Sequence, residues 1–193
     1  MRAPQTASLR VLVNAANLFT LFRLVLAPFV AADILHDHWT RALILFFLAG
    51  LTDVIDGFLA RRFGHPTRVG AYFDPIADKI LLIAIYVSLG VTEAVSRWMV
   101  ALVFGRDLLI LGMAAYGLLF TSVRKFPPSV WGKISTFFQI AAALVVIGDH
   151  AGIPAPVRLA LALMVAATIW SGFHYAWIGI TVLRQRRIDA SAA

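Results

Sequence analysis

The chain has 193 residues, of which 61% are hydrophobic and only 14% charged, whereas a water-soluble domain carries roughly 25% charged residues. It has no cysteine, so disulfides and thiolate ligands are excluded and cysteine usage marks no compartment. Its net charge of +7 is scattered over the ends of apolar stretches, which speaks against the clustered basic face of a nucleic-acid binder.

A membrane-spanning helix needs about 20 mostly apolar residues. Six such stretches follow one another: about Asn14–Ile34, Arg41–Arg61, Ala71–Leu89, Arg97–Phe120, Gly132–Gly148 and Pro156–Leu183. The connections are short and rich in Gly, Pro, His and Arg. This pattern predicts an all-α membrane protein, a six-transmembrane-helix bundle forming one domain over 1–193. Short tails are expected at about 1–12 and 184–193, and no internal repeat is visible. With the N-terminus inside, the inner segments hold eleven basic residues: Arg2, Arg10, Arg61, Arg62, Arg68, Arg124, Lys125, Lys133, Arg184, Arg186 and Arg187. The outer segments hold three, Arg41, Arg97 and Arg158. That bias puts both termini in the cytoplasm, with a basic rim that can meet anionic headgroups of membrane lipids.

The first stretch follows Arg2 and Arg10 as a signal peptide's apolar core would. It is long for that role, however, and Asn14, Asn17 and Arg23 interrupt it, so it reads as a span that is kept. Arg23 is a candidate for substrate contact. After it come His36, Asp37 and His38, three possible metal ligands that fall on the outer side and read as a solvated loop.

The second and third stretches carry the chemistry. Carboxylates are costly inside a bilayer and mark function by default. Of ten acidic residues, four sit here: Asp53 and Asp56 late in the second span, Asp74 and Asp78 early in the third. The short basic connection makes the two spans an antiparallel hairpin, with all four acids near the cytoplasmic end. Asp53, Asp56, Gly57, Ala60 and Arg61 share one helix face, and Asp74 lies one turn from Asp78. Four carboxylates in one small volume repel unless cations are bound. Hard divalent ions such as Mg²⁺ or Mn²⁺ suit all-oxygen ligands and share coordination with phosphates, and four acids suit two ions better than one. Gly57, Ala60 and Gly70 leave room for a bulky group, and Arg61 is placed to hold a diphosphate through a forked contact. Two alternatives stand beside this reading. One is a set of internal salt bridges to Arg23, Lys79 and Arg106. The other is a divalent cation transporter, against which the acids crowd one membrane end and the spans lack an inverted repeat.

In the fourth stretch Arg106 and Asp107 either shape an acceptor pocket or pair with each other. Lys133, at the inner end of the fifth, is a candidate for an acceptor phosphate or an interfacial anchor. Trp39, Trp98, Trp131 and Trp177 near span ends read as an interfacial belt.

From Asp53 the sequence runs D-V-I-D-G-F-L-A-R, then eight residues, then G-A-Y-F-D-P-I-A-D. It resembles the pattern D-x2-D-G-x2-A-R-x8-G-x3-D-x3-D of the CDP-alcohol phosphatidyltransferases, and the likeness extends to the N-terminal N-L-F-T-L-F-R and to the six-span layout. The resemblance implies that Asp53, Asp56, Asp74 and Asp78 hold two divalent cations, Mg²⁺ or Mn²⁺, and that Asp78 is the general base. It further implies that Gly57, Ala60, Arg61, Thr67 and Gly70 border the CDP group of a CDP-diacylglycerol donor, and that the protein is a homodimer. The implied setting is a bacterial inner membrane, with the active site facing the cytoplasm.

Within the family, F-L-A-G-L-T-D-V-I-D-G-F-L-A-R, D-P-I-A-D-K-I-L-L-I-A-I-Y-V-S-L, G-R-D-L-L-I and the His174–Tyr175 pair resemble CMP-forming cardiolipin synthases, whose acceptor is phosphatidylglycerol. Phosphatidylglycerophosphate synthases, with glycerol-3-phosphate as acceptor, are the next match. Those often carry G-K-x-K-T before the fifth span, where this chain has G-K-I-S-T, keeping Lys133 and placing Ser135 at the second lysine.

Overall fold

The computed structural model describes residues 21–63, 70–120 and 129–191, with side chains described for 21–52, 77–113 and 129–181. All regular structure among the described residues is helical. Helix α1 covers 21–35; α2 is Trp39–Phe63, α3 Gly70–Val91, α4 Arg97–Phe120, α5 Val130–His150 and α6 Val157–Ser191. At about 1.5 Å per residue, α2 to α6 are each long enough for a hydrocarbon core of about 30 Å. On described residues alone, Val130–His150 and Val157–Thr181 have both the length and the apolarity of a membrane span.

The breaks between helices are local and physical. Asp37 takes a left-handed conformation (φ 59°), letting His38 N–H bond back to Asp33 O at 2.8 Å and Asp37 N–H to Ile34 O at 3.3 Å. This double closure ends a helix, and a short polar side chain tolerates it. The same closure recurs after α5. Gly152 (φ 90°) sits where Ile153 N–H reaches Gly148 O at 2.9 Å and Gly152 N–H reaches Asp149 O at 3.0 Å. Pro154 and Pro156 then lead into α6. That helix continues to Ser191, past the expected end at Leu183, because R-Q-R-R-I-D-A-S contains good helix formers and no Gly or Pro.

The helices fall into two compact units. One comprises residues 1–95 with 146–155, the other 96–145 with 156–193. In the first, α1 buries Arg23, Leu26, Ala27, Val30, Asp33 and Ile34, a single helical face. Ala42, Phe46 and Ala49 of α2 and Ala77, Leu81, Leu82, Ile85 and Leu89 of α3 are buried at the same periodicity. In the second, α4 packs along α6, with Val100, Val103 and Arg106 buried on α4 and Met164, Thr168 and Ser171 on α6.

Outward faces are strongly apolar. Phe29, Phe47, Leu108, Phe137, Phe173 and Trp177 are all exposed, while Arg23, Arg106, Ser135, Gln139, Thr168 and Ser171 are buried. Large apolar patches outside and polar groups inside reverse the pattern of a water-soluble protein. They suit a chain whose solvent is lipid on its outer surface.

Candidate functional site

The acidic motif lies on two continuous helices. Asp53, Asp56, Gly57, Ala60 and Arg61 are on α2, and Gly70, Asp74 and Asp78 are on α3. Regular helix through both segments keeps the three- and four-residue spacings on one face of each helix. Of these positions only Asp78 has a described side chain, and Thr67 lies outside the described residues.

Asp78 forms an ion pair with Arg23 of α1, in which Nη1 donates to Oδ1. The two partners differ sharply in access: Arg23 is 1% exposed and the Asp78 side chain 47%. A buried guanidinium is tolerable only when paired and hydrogen-bonded. For this one acid the salt-bridge alternative from the sequence is therefore present. It does not displace a functional reading, because the Asp78 side chain stays about half exposed.

The donor set tests whether divalent ions fit. Four carboxylates, with no nitrogen or sulfur donor in the motif, match the hard-oxygen preference of Mg²⁺ and Mn²⁺. On that chemistry the residues fit the ions.

A second polar centre occupies the unit built on α4, α5 and α6. Arg106 on α4 is buried and reaches three acceptors. Its Nε and Nη2 donate to Ser171 Oγ at 3.2 and 2.9 Å, Nη2 to Gly132 O at 3.1 Å, and Nη1 to Asp107 Oδ1 at 2.7 Å. The guanidinium also lies 5.9 Å from the Tyr175 ring centre, and Tyr175 Oη accepts from Ser129 N–H at 3.0 Å. This close docking explains the glycine at 132. A Cβ there would sit 2.8 Å from Tyr175 Oη and 3.2 Å from Arg106 Nη2. Of the two sequence readings, Arg106 thus pairs with Asp107 and also ties α4 to α5 and α6.

Lys133 is exposed, but Ser135 is fully buried. Residues two apart on a helix point in different directions, so Ser135 faces α6, not the surface beside Lys133. Its Oγ lies 3.4 Å from Thr168 Oγ1 and from Gln139 Nε2, and Gln139 Nε2 also reaches Thr168 Oγ1 at 3.3 Å. Sequence reasoning missed Ser171, Thr168 and Gln139. Their available signal was polar residues recurring on otherwise apolar helices, at 168, 171 and 175 along α6 and at 135 and 139 along α5.

At the α1–α2 turn, His36 and His38 are exposed, and His36 Nδ1 is 2.8 Å from Ala32 O. Among the described residues no group of His and acidic side chains is arranged to hold a metal, in keeping with a solvated turn. Asp33, also missed, is buried there against Arg41 (3.3 Å) and His38 (3.8 Å). Trp39 packs against His150 with ring centres 4.4 Å apart and the rings tilted by 36°. Trp98, Trp131 and Trp177 are exposed.

Comparison with known proteins gives this geometry its class. Residues 13–178 match the CDP-alcohol phosphatidyltransferase family. The chain belongs to that family, and so to a class of phosphatidyl-transferring enzymes. It is 34% identical over 172 residues to a CDP-diacylglycerol--glycerol-3-phosphate 3-phosphatidyltransferase of Sodalis glossinidius, covering 84% of this chain and 93% of that protein. It is 29% identical over 134 residues to a probable CMP-forming cardiolipin synthase of Drosophila melanogaster, covering 69% of this chain and 41% of the other. A cardiolipin synthase (CMP-forming) / mitochondrial hydrolase fusion protein of Schizosaccharomyces pombe is 36% identical over 100 residues, 52% of this chain and 17% of its own length. The chain therefore spans less than half of these two cardiolipin synthase relatives.

Proposed function

We propose that this chain is an integral membrane phosphatidyltransferase. It moves the phosphatidyl group of CDP-diacylglycerol to a hydroxyl acceptor and releases CMP. The observation that carries this reading is the complete acidic motif set on α2 and α3 in a chain of this family. We place six spans in a bacterial inner membrane, in one domain, with both termini and the active site at the cytoplasmic face. The basic bias of the inner segments supports that orientation. The working unit is a homodimer.

Asp53, Asp56, Asp74 and Asp78 would hold Mg²⁺ or Mn²⁺, two ions for four carboxylates. Bound there, the ions would offset the charge of the donor diphosphate. Gly57, Ala60, Thr67 and Gly70 border the CDP group and let it approach the helix backbone. Asp78 takes the proton of the acceptor hydroxyl as general base. The freed oxygen attacks the phosphorus bearing diacylglycerol, the bond from that phosphorus to the CMP oxygen breaks, and Arg61 stabilises the leaving phosphate.

For the acceptor we favour phosphatidylglycerol, on the stretches around 47–61, 74–89 and 105–110. A second reading, glycerol-3-phosphate, is favoured by coverage: the Sodalis relative with that acceptor in its name is matched over 93% of its length. An acceptor panel separates them. Purified protein is given CDP-diacylglycerol with phosphatidylglycerol, glycerol-3-phosphate, inositol phosphate or serine, and the lipid products are weighed by mass spectrometry. Cardiolipin is the expected product; phosphatidylglycerophosphate as the main product would overturn the acceptor assignment.

A further inference from the structure

We propose that Arg23 of α1, which lies outside the acidic motif, is the positioning residue for Asp78. It fixes the carboxylate's orientation for proton transfer without touching substrate. The inference rests on the reading of Asp78 as the base.

The argument begins with cost. The face that α1 buries is otherwise apolar around this position, with Leu26, Ala27 and Val30 on the next turns. A cation is a poor choice there for packing alone, since a buried charge is tolerated only with a partner. The pair reaches across 55 residues of sequence, from α1 to the start of α3. It joins the first helix to the one acid of the motif with a described side chain.

Access then distinguishes the two partners. At 1% exposure, Arg23 has no surface to offer a donor or acceptor molecule, which argues against direct substrate contact. Asp78, at 47%, is open. The ion pair engages Oδ1 while the side chain stays 47% exposed, so a hydroxyl can still reach the carboxylate. A carboxylate turns readily about its terminal torsion. A general base must present its oxygen within hydrogen-bond reach of the proton it takes. A planar, permanently charged guanidinium seated in the core is suited to holding one oxygen still. Lysine is a point charge without that fork, so it should serve less well but not fail.

The test uses the full-length protein in lipid nanodiscs, with kcat, KM for CDP-diacylglycerol and the thermal midpoint read for each variant. Arg23→Gln is expected to lower kcat by roughly tenfold or more with KM nearly unchanged, the signature of an interaction realised in the transition state. Arg23→Lys should recover most of that loss. The decisive comparison is a double-mutant cycle with Asp78→Asn. If Arg23 acts through Asp78, adding Arg23→Gln to Asp78→Asn changes residual turnover by less than about twofold. A full second loss in the double variant, or a raised donor KM with kcat intact, would overturn the inference. If Arg23→Gln alone does not fold, the double variant still decides, because it removes both charges together. Normal turnover in Arg23→Gln beside a collapsed Asp78→Asn would sink the Arg23 role alone. Normal turnover in Asp78→Asn would sink the base assignment and this inference with it.

Discussion

Replacing Arg106 with methionine keeps most of the side chain's length and apolar volume while removing its charge and donors. The structure gives Arg106 three acceptors: Ser171 Oγ, the Gly132 carbonyl and Asp107. Interhelical hydrogen bonds in membrane proteins contribute on average about 0.6 kcal/mol and up to about 1.7 kcal/mol each. Asp107 lies on α4 itself, so two acceptors are on other helices, and they give roughly 1–3 kcal/mol for Arg106→Met by the same scale. The Ser171 and Gly132 contacts join α4 to α6 and α5, so the loss should loosen this whole unit. Tyr175→Phe removes only the bond from Ser129 N–H, and about 0.6–1 kcal/mol is expected. Equilibrium unfolding in mixed micelles, with lipid fraction held constant, measures both. A change below about 0.5 kcal/mol for Arg106→Met, against the scale above, would refute the reasoning. If acceptor KM rose sharply at unchanged stability, Arg106 would instead be facing the acceptor.

Activity should vanish on chelation and return with Mg²⁺ or Mn²⁺, because the clustered carboxylates otherwise repel each other and the diphosphate; full turnover in excess chelator would contradict the cation site. Asp78→Asn should collapse turnover while CDP-diacylglycerol still binds in an equilibrium assay. Asp53→Asn or Asp56→Asn should weaken nucleotide binding as well. Lys133→Ala should raise KM for glycerol-3-phosphate more than for phosphatidylglycerol, and equal effects would make Lys133 an anchor of α5. Ser135→Lys should lower the midpoint of equilibrium unfolding, since Ser135 is fully buried and a buried charge is costly unless paired. A stable variant with increased use of glycerol-3-phosphate would show instead that this position opens to the acceptor.

Helix positions were largely legible because turn residues punctuate the apolar runs. Arg97–Phe120 was read as found, and the second, third and fifth helices differ from expectation by one or two residues at each end. The C-terminal end of α6 was not legible, because hydropathy marks where lipid ends and not where helix ends. The motif acids could be assigned to shared helix faces from spacing alone. Arg23 also announced itself, as a cation in an apolar run. Its partner did not, since nothing local specifies a contact 55 residues away. The Arg106 network was half visible. Charge at 106 and 107 could be read, but a backbone carbonyl at Gly132 has no sequence signature. Ser135 stands only two residues from Lys133 in the G-K-I-S-T stretch. On a helix they diverge, and the buried hydroxyl belongs to the α5–α6 contact.

The measurement closest to the central claim is CMP release from CDP-diacylglycerol by the purified chain in liposomes, followed with and without an added hydroxyl acceptor. Divalent cation flux is recorded in the same vesicles. The account predicts acceptor-dependent CMP release, matched by phosphatidylated product, with no cation movement. Cation flux without CMP release from any acceptor would contradict it and favour a transporter built on the same four carboxylates.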